Sequence, residues 1–343
     1  MEPKLIVEGG YDTKIKVWRN AKKLYNFERT GNLRPILEVF KFLTCNEVIG
    51  IARVSKKFYE ACFHYEIQKS GFKQIKVLEG HTAKVNSVAV SQRKQIIISG
   101  SSDKTIRVWG LATEQATQVL EGHSDAVLSV AISSKDEFIV SGSWDKTIRV
   151  WSLASGQANL VLRGHARAVR SVAISSKDEY IVCGNYENTV RVWSLATRQQ
   201  IRIFTGHSHV ITSVAISSCD LYVVSGSWDR TIRVWSLGSG DLTRVLEGHS
   251  NYVYSVAISS GGQFVVSGSA DKTIRVWSLT SGETTQVLKG HTGGVLSVKL
   301  SNEGNYLVSG GGDNSVRFWD LSRGQETQKI QGHTGDVCSV NLI

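Results

Sequence analysis

The chain has 343 residues, 41% of them apolar, and a formal net charge of +10, which suits one large all-β domain or two or three smaller domains. With no apolar leader and no apolar run of about 18 residues, we expect a soluble protein of a reducing compartment, cytoplasmic and/or nuclear, with no membrane partner. The five cysteines form no Cys-x-x-Cys pair and no zinc-like spacing with histidine, so neither a metal nor another cofactor is expected.

The first predicted element is a pair of short strands. Residues 5–18 read LIVEGGYDTKIKVW, two β-branched runs separated by a turn signal. They look like the second half of a repeating unit whose first half does not precede them. We therefore assign residues 1–18 to the middle strands of a sheet that is completed elsewhere in the chain, and residues 19–32 to a linker.

Residues 33–70 are of a different kind. Their apolar residues recur at helical spacing and show no β alternation. In order and length, ILEVFKFL, TCNE and VIGIARVSKKFY (36–59) resemble the F-box family, and the match extends over 33–69. The Leu-Pro-x-Glu element that usually opens the family is shortened here to LRP, and Phe58 stands where the family usually has Trp.

The F-box resemblance implies a docking surface for a Skp-type adaptor of a cullin-RING complex. Its apolar residues would be Ile36, Phe40, Leu43, Val54 and Phe58. About 35 residues in two or three helices cannot build much of a core alone, so the segment has to pack on a partner or on the rest of the chain. The alternative is a structural helical insertion that packs on the protein and binds no adaptor.

The remaining residues, 71–343, repeat with a period of 42. Gly-His pairs recur at this interval, with histidines at His81, His123, His165, His207, His249, His291 and His333. A tryptophan follows 28 residues after six of them, at Trp109, Trp151, Trp193, Trp235, Trp277 and Trp319. The runs between these markers, as in SVAISSKDEFIVSGSWDKTIRVWSL (129–153), are short and β-branched. Such repeats resemble the WD-repeat family, which implies a β-propeller with four strands in each blade.

In the WD-repeat family a His, a Ser or Thr, an Asp and a Trp form one hydrogen-bonded relay in each repeat. Matching positions here are His81, Ser99, Asp103, Trp109; His123, Ser141, Asp145, Trp151; His207, Ser225, Asp229, Trp235; His249, Ser267, Asp271, Trp277; and His291, Ser309, Asp313, Trp319. One repeat departs, with His165, Cys183, Glu187 and Trp193, and we expect its relay to be weaker. A hydrolase triad also combines Ser, His and Asp, but catalysis needs one exceptional site. Five near-identical copies therefore indicate a structural role, and no catalytic residue or enzyme activity is expected.

The two ends of the chain complete a seventh repeat. Counting on from the C-terminus into the N-terminus places Trp18 28 residues after His333, the same spacing as in the internal repeats. Glu8 then stands at the Ser position and Asp12 at the Asp position. Seven repeats account for 294 residues and leave 49 for the inserted segment. The predicted fold is an all-β, seven-bladed WD-repeat propeller in which N- and C-terminal strands share one blade, with a small α-helical insertion.

Two stretches are candidates for the outer strand of the shared blade. KKLYNF (22–27) follows Trp18 closely, whereas KQIKVLEG (73–80) leads into a Gly-His pair, as TQVLEGH does in other repeats. We favour the second stretch, which leaves the helical segment looped out on the face opposite the relay histidines.

Much of the positive charge belongs to the repeats. One strand position is basic in all seven blades: Lys16, Arg107, Arg149, Arg191, Arg233, Arg275 and Arg317. Without these seven residues the net charge falls from +10 to +3. A nucleic-acid groove would be one-sided and interleaved with aromatic residues, so we do not expect nucleic acid as a partner.

Partner specificity is expected on the face that carries the relay histidines, here called the top face. The WD-repeat resemblance points to three positions per blade: the residue before the hairpin Asp and two flanking the first valine of the inner strand. Aromatic residues and one arginine occupy several of them: Trp144, Arg170, Tyr186, Trp228, Tyr252 and Tyr254. Such residues dominate interface hot spots, while a single Arg is a poor phosphate clamp. We predict a site for a largely uncharged or apolar-anchored peptide; the alternative is that Trp144 and Trp228 only cover the hairpins.

Together the two resemblances imply an F-box/WD-repeat protein. Such a protein is a non-catalytic, substrate-recognition subunit of an SCF-type ubiquitin ligase, in which the helices bind the adaptor and the propeller binds a target protein. The alternative is a general WD-repeat scaffold for a multiprotein complex, with no role in ubiquitin transfer.

Overall fold

The computed structural model describes residues 5–20, 72–91, 93–111 and 115–342, and all regular secondary structure in these ranges is β-strand. Strands β1 to β7 are Leu5–Gly10, Ile15–Asn20, Phe72–Leu78, Val85–Ser91, Ile96–Ser101, Ile106–Gly110 and Ala116–Leu120. Strands β8 to β14 are Val127–Ile132, Phe138–Ser143, Ile148–Ser152, Ala158–Leu162, Val169–Ile174, Tyr180–Asn185 and Val190–Ser194. Strands β15 to β21 are Gln200–Phe204, Ile211–Ile216, Tyr222–Ser227, Ile232–Ser236, Leu242–Leu246, Val253–Ile258 and Phe264–Ser269. Strands β22 to β28 are Thr273–Ser278, Thr284–Lys289, Val295–Leu300, Tyr306–Gly311, Ser315–Asp320, Gln325–Gln331 and Val337–Leu342.

The strands form seven four-stranded antiparallel sheets, the blades of a propeller. Blades 1 to 6 use consecutive strands, from β4–β7 for blade 1 to β24–β27 for blade 6. The predicted all-β, seven-bladed architecture is thus confirmed.

The remaining sheet, the closing blade, is built from both ends of the chain. Its order is β28-β1-β2-β3, and Ile6 pairs with Leu342 across the β1–β28 junction. The outer strand is β3, which overlaps the favoured stretch 73–80, while residues 22–27 lie outside the described residues.

The predicted helical insertion falls on residues that the structure does not describe. This applies to the F-box-like segment 33–70 and to its adaptor-binding candidates, Ile36, Phe40, Leu43, Val54 and Phe58. Backbone contacts divide the chain into one unit of Met1–Val17 with Lys76–Ile343, and a second unit of Trp18–Ile75. Of the second unit, only the parts that belong to β2 and β3 are described.

The hydrophobic core lies between neighbouring blades rather than within one. Between blades 3 and 4, for example, Val182 and Phe204 pack with Ile211 and Trp235. The second strand of each blade carries a glycine because the next blade approaches it closely: a Cβ on Gly142 would lie 2.7 Å from Val169 Cγ1. Any side chain at this position would push two blades apart, and such overpacking destabilises a core.

Serine hydroxyls on the inner strands connect all seven blades. The Oγ of Ser87 accepts a hydrogen bond of 3.1 Å from the backbone N–H of Val130 in the next blade. The same bond, 3.1 Å long in each case, recurs at Ser129–Val172, Ser171–Val214, Ser213–Val256, Ser255–Val298, Ser297–Val340 and Ser339–Val88. The last of these joins the C-terminal strand to blade 1, so the ring of bonds is closed. The sequence analysis did not single out these serines, although they recur with the period of the repeat.

A bulge near the top of each inner strand sets the geometry of the top face. Pairing between inner and second strands slips by one residue between Val169 and Ser171, and again between Val253 and Ser255. The residues inside these bulges are Arg170 and Tyr254, two of the predicted partner-binding residues. A bulge releases its extra residue from the strand ladder and re-aims its side chain.

Candidate partner-binding face

Four side chains form a continuous hydrogen-bonded relay beneath the top face of blade 2. The Trp151 indole N–H donates to Ser141 Oγ at 2.8 Å, and Ser141 Oγ lies 2.7 Å from His123 Nε2. His123 Nδ1 lies 2.7 Å from the Asp145 carboxylate, which can only accept, so Nδ1 carries the proton and the serine hydroxyl donates to Nε2. The same set of contacts occurs in blades 1, 4, 5 and 6.

The aspartate of each relay fixes the hairpin that carries the top-face residues. Asp145 accepts hydrogen bonds from the backbone N–H of Ser124 and from the N–H and hydroxyl of Thr147. Burial by itself would raise the pKa of the Asp145 carboxyl, but the hydrogen bonds from His123 and Thr147 outweigh it and hold that pKa well below its usual range. The carboxylate therefore stays ionised and ties the hairpin to the loop that follows the Gly-His pair.

Blade 3 builds this region differently. The Cys183 sulfur, in place of a serine oxygen, lies 3.6 Å from His165 Nε2. Glu187 does not contact the imidazole: it accepts the backbone N–H groups of Ala166 and Arg167 and pairs with Arg191. Burial and the Arg191 charge lower the pKa of His165 to about 4, and burial raises the pKa of the Cys183 thiol to about 12. The histidine is therefore neutral and the thiol protonated at neutral pH.

The closing blade replaces the relay serine with a buried carboxylate. His333 Nε2 lies 3.1 Å from Glu8 Oε1, and His333 Nδ1 lies 2.7 Å from Asp12 Oδ2. Lys16 pairs with Asp12 at 3.4 Å and donates to the Gly332 carbonyl. Burial disfavours the charged imidazole, but Glu8 and Asp12 outweigh it and raise the pKa of His333. A cluster of two carboxylates, Lys16 and His333 thus joins the two ends of the chain, at the place where the relays of blades 1, 2, 4, 5 and 6 have a serine hydroxyl and a single carboxylate.

The basic strand position contributes to the interior of the blades more than to a surface patch. The Arg191 guanidinium donates to the Gly164 carbonyl at 2.9 Å, and its side chain is 15% exposed. Arg149 lies over the Trp151 ring at 5.8 Å. These contacts hold the Gly-His loop against the relay tryptophan.

Four of the six predicted partner-binding residues form one continuous aromatic row on the top face. Ring centroids are 4.9 Å apart for Trp144 and Tyr186, 6.1 Å for Tyr186 and Trp228, and 5.5 Å for Trp228 and Tyr252. The row runs from blade 2 to blade 5, and His209 packs on Trp228 at 5.6 Å. Its end residues, Trp144 and Tyr252, are 45% and 43% exposed, while its middle residues are half-buried.

The other two predicted residues, Arg170 and Tyr254, lie apart from the row on the inner-strand bulges. Burial and the neighbouring Tyr252 raise the pKa of Tyr254, an effect that the charge of Arg170 partly offsets. The structure therefore separates the prediction into two groups. One is a row of four packed rings, three on hairpins and Tyr252 on the loop before β20, and the other is an Arg–Tyr pair on the inner strands.

A cleft of about 460 Å³ opens beside the row, between blades 3 and 4. Its lining residues are Arg167, Tyr186, Glu187, Asn188, Ser208, His209 and Val210. Only Tyr186 and Val210 belong to the three positions per blade that the sequence analysis considered. One sequence feature points to the other lining residues. Blade 3 departs from the relay pattern at Glu187, and Glu187 forms one wall of this cleft.

The comparison with protein-family models places these repeats in a known family. The model described as "WD domain, G-beta repeat" matches residues 72–110, 114–152, 156–194, 198–236, 240–278 and 282–320. The chain belongs to the WD-repeat family. The matched segments all lie outside residues 33–70, where the F-box-like pattern occurs.

A curated relative gives a more limited similarity. The chain is 30% identical over 115 residues to a protein from Oryza sativa subsp. japonica named "Ribosome biogenesis protein WDR12 homolog". The alignment covers 32% of this chain and 26% of that protein. The chain therefore spans about a quarter of the relative's length.

The described residues contain neither a cluster of metal-ligating side chains nor a membrane-spanning helix. No group of three or more His, Cys, Asp or Glu side chains in them could hold a metal ion. None of the described segments is a helix long and apolar enough to cross a membrane.

Proposed function

We propose that this WD-repeat protein is a non-catalytic scaffold that binds a segment of a partner protein on its top face. The observation that carries the proposal is the aromatic row of Trp144, Tyr186, Trp228 and Tyr252. The row lies at positions where otherwise near-identical repeats differ, and its two ends are open to a partner. Large, partly exposed rings held by a rigid frame provide contact area at low entropic cost.

The curated relative supports a role in a multiprotein assembly. Its name describes a ribosome biogenesis protein, and a scaffold role of that class is the alternative that the sequence analysis left open. We propose a nuclear or cytoplasmic assembly in which the propeller holds one partner.

A ubiquitin-ligase role is a second proposal, favoured by one observation in the sequence. The order and length of ILEVFKFL, TCNE and VIGIARVSKKFY (36–59) match the F-box pattern. Affinity purification of the full chain, probed for a Skp-type adaptor and a cullin, tests this role, with Leu43→Asp as the variant that should lose both. If neither protein is recovered with the unmodified chain, the ubiquitin-ligase proposal fails and the scaffold proposal stands.

The scaffold proposal is tested by comparing the partners of two variants. The double variant Trp228→Ala, Tyr252→Ala removes the centre and one end of the aromatic row. Leu221→Ala is the matched control because it removes an exposed apolar side chain, 58% accessible, on the opposite face. Quantitative affinity purification should show a defined set of partners lost by the double variant and kept by the control. Identical partner sets for both variants would refute the top-face assignment.

A further inference from the structure

We infer that the partner segment is acidic, and that one of its carboxylates occupies the cleft between blades 3 and 4 beside Trp228. This inference rests on the proposed function and specifies the chemistry of the partner. It differs from the uncharged peptide predicted from the sequence, because most of the cations involved lie outside the positions considered there.

The charges inside the cleft leave one cation available to a partner. Glu187 is already engaged, since its carboxylate pairs with Arg191 and accepts two backbone N–H groups. Burial opposes ionisation, but these hydrogen bonds and the Arg191 charge lower the pKa of Glu187. The exposed Arg167 side chain shares the cleft and forms no ion pair with a carboxylate of the described residues. The Arg167 guanidinium is therefore available to pair with a carboxylate of a bound segment.

The hydrogen-bond donors of the cleft are oriented to receive a carboxylate. His209 Nδ1 accepts the backbone N–H of Val210 at 3.1 Å, so the proton of the neutral imidazole lies on Nε2. That N–H points away from the backbone and is free to donate from an exposed side chain. Asn188 is fixed across the cleft by its own bond to the Ser208 carbonyl at 3.2 Å. An incoming carboxylate would meet a guanidinium and an imidazole N–H together, and charge-assisted bonds of this kind are the stronger ones.

The charge around the aromatic row is mainly positive. The hairpin residue after each relay Asp is an exposed cation in blades 2, 4 and 5, namely Lys146, Arg230 and Lys272. All three have positive φ values, between 69° and 72°, as residues at the tip of a tight turn do. With Arg163, Arg167 and Arg170 they make six cations around the row, against three exposed acids on the same loops, Glu121, Asp125 and Glu247. The excess of positive charge complements an acidic segment.

The geometry favours a peptide over a single-stranded nucleic acid. Successive bases bind by stacking on free aromatic faces. Here the rings pack against one another in tilted pairs, at 4.9 Å for Trp144–Tyr186 and 5.5 Å for Trp228–Tyr252, so each ring already has an aromatic neighbour. Only the ends of the row remain open, as suits one or two apolar anchors of a peptide.

A random twelve-residue peptide library displayed on phage, selected against the full chain, tests the inference. We expect the enriched peptides to carry Asp or Glu close to an aromatic or aliphatic residue. Labelled copies of these peptides should bind Arg167→Glu at least about tenfold more weakly, the effect of one charge-assisted hydrogen bond. Lys135→Glu, with the same charge change on an exposed residue of the opposite face, should bind like the unmodified chain.

Several outcomes would overturn the inference. Enrichment of neutral or basic peptides, or no enrichment, contradicts an acidic partner, as does equal binding by Arg167→Glu and Lys135→Glu. Tighter binding of a labelled twelve-residue oligouridine than of any selected peptide would replace the peptide with nucleic acid. Neutral peptides that lose affinity for Trp228→Ala would leave the proposed function intact while refuting this inference. Peptides unaffected by Trp228→Ala would refute both.

Discussion

A single sulfur-for-oxygen exchange shows how much each relay depends on one residue. Ser141 joins two buried groups, since its oxygen accepts from Trp151 and its hydroxyl donates to His123. Cys183 occupies the same place in blade 3, where its sulfur is 3.6 Å from the histidine and the blade recruits Asn185 instead. The side chains are similar in size but very different as hydrogen-bond partners.

We predict that Ser141→Ala destabilises the protein more than Cys183→Ala. The serine variant leaves a buried indole N–H and a buried imidazole without their partner, at a cost of about 2–3 kcal/mol. The cysteine variant mainly loses packing, at a cost of about 1 kcal/mol. Urea unfolding gives both free energies. Equal losses would show that the relay oxygen contributes no more than the volume it fills.

Residue patterns predicted some parts of the top face and missed others for a physical reason. The relay positions and the aromatic row follow from residues that recur, or fail to recur, at a fixed period. Arg167 and His209 were missed because nothing in their sequence positions shows that Glu187 turns away from His165. That contact depends on how one altered blade repacks, which only the structure shows.

At the scale of the strands, the closing blade differs from the others in how it is held together. Counting residues across the two chain ends placed Glu8 and Asp12 at relay positions, but spacing could not show that both carboxylates contact His333. A second carboxylate, Glu8, takes the place of the serine hydroxyl in a site that is almost fully buried, where an unpaired charge is costly. The junction between β1 and β28 should therefore respond to pH in a way that other blades do not.

We predict that Glu8 stabilises the protein most in mildly acidic solution. The folded protein raises the pKa of His333 above the unfolded value of about 6.5. The stabilisation is therefore complete below that value and is lost as the pH rises through the raised pKa. The free energy of unfolding of the unmodified chain, minus that of Glu8→Gln, should fall between pH 6 and pH 9. For the exposed Glu283→Gln, the same difference should stay constant; a constant difference for Glu8→Gln would mean that His333 does not titrate in this range.

At the scale of the whole molecule, the ring of inner-strand serines makes every blade junction equivalent. The Ser339–Val88 bond across the chain ends has the same 3.1 Å length as bonds within the continuous chain. Each core cluster also spans two neighbouring blades. The place where the backbone is interrupted is then secondary to the closure of the ring, which covers the blade faces that an open array would expose.

A circular permutant tests this equivalence. Direct linkage of residue 343 to residue 1 leaves a short loop between the paired ends of β28 and β1, where Ile6 faces Leu342. New ends between Ala154 and Ser155 fall in an exposed turn. Opening this turn weakens two backbone bonds, from the Gly156 N–H to the Ser152 carbonyl and from the Ser152 N–H to the Gln157 carbonyl.

We expect this permutant to fold as a monodisperse protein, with a free energy of unfolding within about 1–2 kcal/mol of the original, because chain breaks in exposed turns are well tolerated. Urea unfolding and size-exclusion chromatography measure both properties. The matched control has the same linkage but new ends between Val140 and Ser141, within β9 and next to a relay residue. That control should aggregate, because it interrupts both a strand and the relay of blade 2. Aggregation of both permutants would show that the protein folds only when its chain ends lie between β28 and β1.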